Sequence, residues 1–370
     1  MTFSPTDESY MRNALALAAK GRGRTSPNPM VGAVIVKQGK VVGRGFHQRA
    51  GADHAEIVAL TEAGEDAAGA TLYCTLEPCC HHGRTPPCTE AIVQADVKRV
   101  VVASIDPSAK VRGKGIAALT AAGVEVSVGC LAEEAGRLNE FFNVFHEWGR
   151  PFVTLKWAMT LDGRTGTDTN HSRWISNEKS RQYVHKLRAE HDAILIGIGT
   201  ILADDPMLDV RIEGYDGPQP RRVILDGNLA IPRRARVLRE RRGGAVILIA
   251  TAAASKDRRA ALEEDGHRVV VLPGRRRLID VRKLMDFLTR EEILSVLCEG
   301  GRQIETALLQ EGVVDKIVAF IAPKIIGGRS LRSPVENLGL TLMDQAIQLK
   351  RTRWQAFDED LCLEGYLREI

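Results

Sequence analysis

The chain has 370 residues, of which 44% are hydrophobic and 26% are charged, and its net charge at pH 7 is +4. This length is enough for two or three domains with sizeable cores, and it argues against a single domain. No apolar run approaches the roughly 18 residues of a membrane span, which excludes an integral helical membrane protein.

The first 145 residues alternate between helical and extended patterns. A helix is predicted to be capped by Thr6 or Asp7 and to run to Lys20, with Gly21 as its stop. The other predicted elements are a hairpin of residues 31–37 and 41–46, strands over 70–76, 99–104 and 124–128, and helices from His54, over 88–95 and over 113–122. Alternation of this kind is typical of an α/β sandwich with a mixed sheet.

The pattern breaks at Gly149-Arg150-Pro151, which interrupts the last helix of the first part. We therefore predict two domains, residues 1–148 and 149–370. Strands are predicted in the second domain over 151–159, 193–197, 222–225, 245–250, 269–272, 293–298 and 316–321, with a closing antiparallel pair over 346–349 and 361–367.

The N-terminus and the cysteines indicate where the protein works. Residues 1–10 are polar and include Asp7 and Glu8, so we expect no signal peptide. The seven cysteines are odd in number and are not spaced as a disulfide framework, which favours a reducing compartment. We expect a cytoplasmic protein without a membrane partner.

The most informative motif is His54-Ala55-Glu56, followed by Pro78-Cys79 and then by Cys88. One imidazole and two thiolates are three zinc ligands, and three protein ligands leave the fourth tetrahedral position open to water, as in hydrolytic sites. Glu56 is not needed as a ligand and can move a proton. The motif predicts hydrolytic deamination of an amidine-like carbon in a heteroaromatic ring, with Glu56 as the acid/base group.

The spacing of the two cysteines departs from the usual Cys-x-x-Cys of nucleobase deaminases, because eight residues separate Cys79 from Cys88. Glycine and two prolines in the interval predict a loop. Arg84 and a histidine of this loop are expected to face the pocket and to favour a larger, phosphorylated substrate. We also expect His54 and Cys79 at helix starts, where backbone N–H groups stabilise a thiolate.

Two other interpretations of the motif stay open. Cys80, His81 and His82 offer further ligands, which would close the site and make it structural. A cluster of buried thiols without metal is the second alternative.

Glycine turns in the second part favour a dinucleotide. Glu299-Gly300-Gly301 lies between a predicted strand and a predicted helix over 303–310, an arrangement suited to a pyrophosphate at the helix N-terminus. A second strand ends in Gly197-Ile198-Gly199-Thr200. The Rossmann fingerprint is absent from both places, so the pattern favours a nicotinamide site on a different α/β fold, with plain tight turns as the alternative.

The positive charge lies in the second part, where arginines cluster over 221–242 and at 275–277. Such patches bind the phosphates of nucleic acids or are simply solvated surface. Aromatic residues make up only 5% of the chain and do not interleave with these arginines, so we expect no nucleic-acid partner.

Several segments resemble the bifunctional riboflavin biosynthesis proteins. Those similar to the deaminase half are Thr25-Ser-Pro-Asn28-Pro-Met-Val-Gly32, His47, His54-Ala-Glu56 and the run from Glu77 to Cys88. Those similar to the reductase half are Leu161-Asp162-Gly163, Ser172-Arg-Trp174-Ile-Ser176, Thr200, Asp204-Asp-Pro206, Arg211 and Glu299-Gly-Gly301. The segments span nearly the whole chain in the family's order.

The resemblance implies an α/β protein with a cytidine-deaminase-like three-layer sandwich followed by a dihydrofolate-reductase-like domain. The first domain would deaminate a diaminopyrimidinone that carries a phosphoribosylamino arm, using zinc (Zn²⁺). The second would reduce the ribosyl arm to ribityl phosphate with NADPH. The implied partners are this small phosphorylated pyrimidine and further copies of the chain in a homo-oligomer.

The resemblance also implies a role for individual residues. His54, Cys79 and Cys88 would bind zinc, and Glu56 would be catalytic. Substrate would contact Asn28, His47, His81 and Arg84 in the first domain and Ser172, Arg188, Leu208, Arg211 and Glu299 in the second. NADPH would contact Ala158, Trp174, Thr200, Asp204, Gly300 and Gly301, and Lys156 is a further candidate for either ligand.

The phosphate is expected to be held by Arg188 and Arg211, each with two N–H groups. Asp205 and Asp209 stand where the family has Asn and Thr. Two hypotheses from other classes compete with the bifunctional enzyme: a deaminase acting on RNA, and a zinc-stabilised interaction protein without catalysis.

Overall fold

The structure is a computed structural model that describes residues 3–82, 86–169, 171–240, 242–275, 277–328 and 332–369. The chain divides into two compact units, residues 1–149 and 150–369. Gly149 ends the last helix of the first unit in the left-handed conformation, with a φ of 65°. Within the described ranges, no helix is both long enough and apolar enough to cross a bilayer.

The first unit alternates helices and strands, as the sequence predicts. In chain order its elements are α1 (Pro5–Ala18), β1 (Gly32–Lys37), β2 (Lys40–Phe46), α2 (Ala55–Ala63), β3 (Thr71–Leu76), α3 (Cys88–Gln94), β4 (Arg99–Ser104), α4 (Lys114–Ala121), β5 (Glu125–Val128), α5 (Ala132–Leu138) and α6 (Glu140–Trp148). The sheet order is β2-β1-β3-β4-β5. β1 is antiparallel to β2 and β3, whereas β3, β4 and β5 run parallel.

Both faces of this sheet are buried, which makes the unit a three-layer sandwich. Successive side chains of a strand point to opposite faces. In β4, Val100 and Val102 pack on the side of α2, α3 and α4, and Val101 and Ala103 pack on the side of α1 and α5. The continuous apolar runs of the central strands follow from this double burial.

The start of α1 differs from the prediction. Ser4, rather than Thr6 or Asp7, is the N-cap: its Oγ accepts a hydrogen bond from the Asp7 N–H at 3.0 Å, and the Asp7 carboxylate accepts one from the Ser4 N–H. Pro5 follows at the first helical position, which suits its fixed φ. Asp7 is thus the third helical residue of a capping box.

The second unit is built on a larger sheet. In chain order its elements are β6 (Phe152–Thr160), α7 (Glu178–Glu190), β7 (Ala193–Gly197), α8 (Ile198–Asp204), β8 (Arg221–Leu225), α9 (Arg236–Arg239), β9 (Val246–Ala250), α10 (Lys256–Glu264), β10 (Arg268–Val271), β11 (Gly274–Arg275), β12 (Leu278–Ile279), α11 (Val281–Arg290), β13 (Ser295–Cys298), α12 (Arg302–Gln310), β14 (Lys316–Ala322), β15 (Lys350–Phe357) and β16 (Asp360–Tyr366). The main sheet has the order β10-β9-β8-β7-β13-β6-β14-β16-β15, and β11 pairs with β12.

The first seven strands in this sheet order, from β10 at the edge to β14, are parallel. The last two, β16 and β15, are antiparallel and form the other edge. Helices α11 and α12 cover one face, and α7 to α10 cover the other. Parallel strands end at the same edge of a sheet, so the loops after β6, β7, β8 and β13 lie together there.

The closing antiparallel pair is only half correctly predicted. β16 matches, but its partner is β15 rather than residues 346–349. β15 is the edge strand, and its first five residues, over 350–354, are exposed. It begins Lys-Arg-Thr-Arg and therefore lacks the apolar alternation that marks a half-buried strand.

A buried ion pair anchors the beginning of the second unit. Asp315, which is fully buried before β14, accepts two hydrogen bonds of 2.7 Å from Arg150 and one of 2.9 Å from the Val153 N–H. Arg368 approaches the same carboxylate at 3.5 Å. The start of β6 and the chain end after β16 therefore meet on one carboxylate.

We expect Asp315→Asn to lower the free energy of unfolding of the second unit by about 3–5 kcal/mol, because it leaves the Arg150 guanidinium buried without a counter-charge. Denaturant titration measures this loss. The control is Glu311→Gln, which removes the exposed ion pair with Arg282 and should cost less than about 1 kcal/mol. Equal small losses in both variants would contradict the anchoring role.

Candidate active sites

The predicted metal ligands of the first unit lie at the ends of three different elements. His54 is the N-cap of α2, Cys79 follows β3, and Cys88 is the first residue of α3. The His54 Nδ1 lies 3.2 Å from the Cys88 Sγ and 3.5 Å from the Cys79 Sγ. Tetrahedral zinc, with Zn–N near 2.1 Å and Zn–S near 2.3 Å, separates neighbouring ligand atoms by roughly 3.6 Å. The three donors therefore fit one zinc ion.

A fourth protein ligand is not found in the part of the chain that the structure describes. There, His54, Cys79 and Cys88 are the only His, Cys, Asp or Glu residues whose donor atoms form a metal-sized group. His81 and His82 are exposed, and Cys80 is half-buried without joining the group. This geometry favours the open, catalytic form of the site over the closed, structural one.

Cys79 is not at a helix start, so that expectation is wrong. It lies in the loop between β3 and α3, and Cys88 instead begins the helix. The Cys88 backbone N–H nevertheless points at the Cys79 Sγ from 3.4 Å. The hydrogen bond from the Cys88 thiol, followed by that from His54, lowers the pKa of Cys79 to about 4. Cys79 is therefore held as a thiolate, the form that binds metal.

Glu56 stands beside the ligands without being one of them. It lies in the first turn of α2 and is 3% exposed. Burial raises its pKa to about 6, against the opposing charge of His54. A carboxyl group with a pKa near neutrality both accepts and donates protons readily.

His47 and Asn28 form a fixed pair next to the metal ligands. The His47 Nδ1 lies 3.0 Å from the Asp53 carbonyl oxygen, which can only accept, so Nδ1 carries the proton. The Nε2 then accepts a hydrogen bond from the Asn28 amide at 3.0 Å. Burial lowers the pKa of His47 and keeps the ring neutral, and the ring centroid lies 5.6 Å from that of His54.

The loop residues predicted to hold the substrate phosphate are only partly described. Arg84 falls outside the described residues. His81 is exposed and lies within electrostatic range of Asp106, a carboxyl whose pKa is raised to about 6 by burial. The structure therefore brings Asn28 and His47 to the metal ligands and leaves His81 at the surface nearby.

A cleft of about 1710 Å³ opens in the second unit at the carboxyl ends of β6, β7, β8 and β13. Ordinary small-molecule pockets measure roughly 300–1,000 Å³, so this cleft has room for more than one ligand. All six residues predicted to contact NADPH line it: Ala158, Trp174, Thr200, Asp204, Gly300 and Gly301.

The turn before α12 requires glycine and presents a helix N-terminus to the cleft. Gly300 and Gly301 have φ values of 131° and 99°, which side chains rarely adopt. Gly301 is the N-cap of α12 and supplies no side-chain hydrogen bond, so the first N–H groups are left for a ligand. An anionic group such as a pyrophosphate fits this position.

Four of the five residues predicted to contact substrate in this unit line the same cleft: Ser172, Arg188, Arg211 and Glu299. Leu208 does not line it. Its side chain is 2% exposed and packs in the core with Ile201 and Ile224. The Leu208 side chain is therefore used in the core, and the predicted contact of Leu208 with substrate stays a prediction.

Arg188 and Glu299 form a buried, two-pronged ion pair. The Arg188 Nε and Nη2 donate to the two Glu299 oxygens at 2.5 and 2.8 Å. Burial alone raises the pKa of Glu299, but the charge of Arg188 outweighs it and holds that pKa below its usual value. The Arg188 Nη1 also donates to the Asp209 carbonyl oxygen at 3.0 Å, so three of its five N–H groups are used. Its predicted contact with a phosphate stays a prediction. Arg211 is about half exposed, with its Nε 3.4 Å from Asp209.

Two family profiles match the chain. The profile described as "RibD C-terminal domain" matches residues 151–363, more than half of the chain. The profile described as "Cytidine and deoxycytidylate deaminase zinc-binding region" matches residues 4–104.

The chain belongs to the RibD family. It is 44% identical over 358 residues to the riboflavin biosynthesis protein RibD of Aquifex aeolicus, covering 96% of this chain and 97% of that protein. RibD of Escherichia coli is 40% identical over 368 residues, with 96% and 98% of the chains covered. The solved structure of Acinetobacter baumannii RibD, form 1, superposes with a TM-score of 0.89 at 38% identity, covering 98% of both chains.

A second solved structure, from Thermotoga maritima, is titled a diaminohydroxyphosphoribosylaminopyrimidine deaminase/5-amino-6-(5-phosphoribosylamino)uracil reductase. It superposes with a TM-score of 0.85 at 35% identity and covers 98% of both chains. The predicted fold class is confirmed: a cytidine-deaminase-like unit precedes a RibD reductase unit. Zinc and NADPH are the cofactors of these two RibD units.

The sequence reasoning missed one residue that supports the metal ligands of this RibD chain. Glu77 is 3% exposed and accepts four backbone hydrogen bonds, two on each oxygen. The donors are the N–H groups of Asp106 and Gly113 at 3.3 and 2.9 Å, and those of Gly115 and Ile116 at 2.8 and 3.2 Å. Glu77 thus binds the N-terminus of α4 and holds the Pro78-Cys79 segment that follows it.

Glycine at 115 makes this contact possible. A Cβ there would lie 2.0 Å from the Pro78 carbonyl oxygen. The Glu-Pro-Cys run is visible in the sequence, but its partner is a helix that begins 37 residues later. Sequence spacing alone gives no sign of that contact.

The reductase cleft of this RibD chain contains a second unanticipated carboxyl group, Glu305. It lies in the first turn of α12, lines the cleft and is 2% exposed. Its Oε1 has no hydrogen-bond partner within the described ranges. Burial raises its pKa to about 8, although the charge of Lys156 opposes this. Lys156 lines the same cleft, and burial lowers its pKa.

We expect Glu77→Gln to weaken zinc binding about 10- to 100-fold while the unit stays folded, because an amide keeps one acceptor oxygen and turns an NH₂ group toward backbone donors. Competition with a chromogenic chelator measures the zinc affinity. The matched control is Glu90→Gln, two residues after Cys88 on the exposed face of α3. Unchanged affinity in Glu77→Gln would show that this carboxylate does not support Cys79.

We expect Glu305→Gln to stabilise the second unit at high pH and not at low pH. The folded state of the wild type keeps the proton up to about pH 8, whereas the unfolded state loses it near 4.5, so the stability of the wild type falls as the pH rises through that window. Gln has no proton to lose.

The melting temperature of each variant, measured between about pH 5 and pH 8.5, reports this effect, since each kcal/mol is worth roughly 2–4 °C in a domain of this size. The advantage of Glu305→Gln should grow by several degrees across the series. The exposed Glu213→Gln serves as the control. A difference that does not change with pH would contradict a buried, protonated Glu305.

Proposed function

We propose that this chain carries out two successive steps of riboflavin biosynthesis. The first unit hydrolyses the 2-amino group of 2,5-diamino-6-(5-phosphoribosylamino)pyrimidin-4-one, and the second reduces the ribosyl arm of the product to ribityl phosphate with NADPH. The observation that carries the proposal is the three-ligand metal group with Glu56 beside it as a non-ligand. The full-length similarity to RibD proteins supports the pairing with a reductase.

In the deaminase unit, each nearby side chain has a distinct task. His54, Cys79 and Cys88 would hold the zinc, which would lower the pKa of a water molecule to about 7. Glu56 accepts a proton from the attacking water and delivers it to the departing amino group. The Asn28 amide is fixed by His47, so its oxygen is oriented to accept a hydrogen bond from the pyrimidine.

In the reductase unit, NADPH supplies the hydride and the protein supplies position. The N-terminus of α12 after Gly301 would hold the pyrophosphate of NADPH. Ala158 lies on β6 at the edge of the cleft and leaves space for a flat ring. The Arg188–Glu299 pair forms a rigid polar wall for the ribosyl arm.

We propose further basic groups that bind the phosphate of the substrate. Arg211 is one candidate in the cleft, since about half of its side chain is exposed and its ion pair with Asp209 is long, at 3.4 Å. In the deaminase unit we propose Arg84 and His81 for the same task, from the family resemblance.

Two arginines of the 221–242 cluster support a small-molecule enzyme rather than an RNA-binding one. Arg222 is 3% exposed and donates to the Gly244 carbonyl. Arg233 pairs with Asp265, with its Nε at 2.6 Å. Side chains committed in this way do not form a free phosphate-binding surface. We therefore keep the proposal of no nucleic-acid partner.

We further propose a cytoplasmic homo-oligomer. Support comes from exposed apolar side chains near the C-terminal end of the second unit. Ile325 is 75% exposed, Leu342 61% and Met343 88%. Large exposed apolar side chains are typical of surfaces that another protein covers.

The variant Glu56→Gln tests the assignment of two separate reactions. We expect it to keep zinc and its fold and to lose ammonia release by at least about 100-fold, because the proton shuttle is gone. NADPH oxidation with the already deaminated substrate should continue at the parental rate. The two products are followed separately, ammonia with an enzyme-coupled assay and NADPH by absorbance.

The matched control is Glu62→Gln, which lies on the exposed side of the same helix. Ammonia release at the parental rate from Glu56→Gln would contradict the deaminase mechanism. Absence of NADPH oxidation by the wild type would contradict the reductase assignment.

A further inference from the structure

The reductase cleft is lined by a histidine, His185, whose role the proposed function leaves open. It lies on α7 three residues before Arg188, so the two side chains share one face of the helix. Both line the cleft, and His185 is half-buried. A polar ring at this position is able to contact a ligand.

The backbone of Arg211 fixes the tautomer of His185. The Arg211 backbone N–H donates a hydrogen bond to the His185 Nδ1 at 3.2 Å, so Nδ1 is the acceptor of the ring. A neutral imidazole then carries its proton on Nε2. Among the residues that the structure describes, this Nε2–H has no hydrogen-bond partner, so it is left as a donor for a ligand.

The surroundings of His185 keep its ring neutral. Burial, followed by the positive charges of Arg188 and Arg211, lowers the pKa of His185 to about 4. The carboxylates of Glu299 and Asp209 act in the opposite direction but are outweighed. Near pH 7, His185 is therefore an uncharged hydrogen-bond donor.

The segment of residues 209–211 is held by three side chains from other parts of the unit. Arg188 donates to the carbonyl oxygen of its first residue at 3.0 Å. Gln219 pairs with both backbone groups of its middle residue, at 2.8 and 3.1 Å. His185 accepts from the N–H of its last residue. The imidazole and this segment are thus fixed relative to each other beside the same part of the cleft.

Charge alone does not explain how a phosphate would be held here. Each of the two arginines already faces a carboxylate, Arg188 that of Glu299 at 2.8 Å and Arg211 that of Asp209 at 3.4 Å. The positive charge is largely balanced, so fixed N–H donors must supply part of the attraction. The N–H of His185 supplies a donor without adding a further charge that must be desolvated.

We propose that His185 is a further substrate-binding residue of the reductase, whose Nε2–H donates a hydrogen bond to the phosphate of the ribosyl arm beside Arg211. It then helps to select the phosphorylated substrate over the same compound without phosphate. The inference rests on the proposed reductase function and adds a specificity residue to it.

Two substitutions separate the donor from the contact with Arg211. In His185→Asn, the amide ends near the position of Nδ1, so it keeps an acceptor for the Arg211 N–H and removes the donor at Nε2. In His185→Gln, the longer amide reaches the position of Nε2 and restores a donor there.

The test follows NADPH oxidation by the full-length protein with the deaminated substrate and with the same compound lacking its phosphate. Ribose 5-phosphate is added as a competitive inhibitor of this step. We expect His185→Asn to raise the KM of the phosphorylated substrate and the inhibition constant of ribose 5-phosphate about 10- to 100-fold. The kcat should stay within about threefold, because the contact is the same in the ground state and the transition state. The KM of the compound without phosphate should change less than about twofold, and His185→Gln should recover most of the loss.

Lys186→Gln is the matched control, since it removes an exposed charge from the next position of α7. It should change none of these constants. Unchanged constants in His185→Asn, an equal loss for both compounds, or a loss in His185→Gln that equals or exceeds that in His185→Asn would overturn the phosphate contact and leave the reductase in place. A wild type that oxidises no NADPH with the deaminated substrate would overturn the proposed reductase function as well.

Discussion

The distance between three donor atoms is the constraint on which the first half of this molecule depends. His54, Cys79 and Cys88 come from separate elements, yet the histidine Nδ1 lies 3.2 and 3.5 Å from the two sulfur atoms. Two of the three ligands stand at helix starts, so the packing of α2 and α3 on one face of the sheet places them. The third stands in a loop, and Glu77 fixes that loop by accepting four backbone hydrogen bonds at the start of α4. A three-layer sandwich with this carboxylate in place yields an open metal site because no fourth ligand atom is within reach in the described residues.

The second unit positions its cleft residues in a different way. Parallel strands place their loops at one edge of the sheet. There, Gly227 lets two backbone segments meet, Gly197 leaves space for the Ile304 side chain, and Gly300 and Gly301 adopt positive φ values. The polar groups of the cleft are fixed against each other, as the buried Arg188–Glu299 pair shows. Lys156 and Glu305 remain as ionisable groups of the cleft, and desolvation lowers the pKa of Lys156 and raises that of Glu305. Such groups are costly in the free protein and are tolerated where ligands are bound.

Most of the secondary structure and the metal ligands were predictable because the signal for each lies within a short stretch of sequence. Apolar runs mark the buried strands, and His-x-Glu with Pro-Cys marks the metal ligands. The failures share a physical cause, which is that the deciding partner is distant in sequence or that the local pattern is weak. β15 is an exposed edge strand and has no apolar alternation. The role of Glu77 was missed because its partner is a helix that the motif does not include. The sequence also did not show the core packing of Leu208 or the pairing of Arg188 with Glu299, and the substrate contacts of both residues stay predictions. Arg84 falls outside the described residues and stays a prediction.

The most direct test of the central claim is a crystal structure of the zinc-loaded chain with diffraction recorded at the zinc absorption edge. The account predicts one ion on the His54 Nδ1 and the sulfurs of Cys79 and Cys88, with a single solvent molecule completing the tetrahedron within hydrogen-bond distance of Glu56. A fourth protein ligand such as Cys80 or His81, or a Glu56 carboxylate bound directly to the ion, would contradict it.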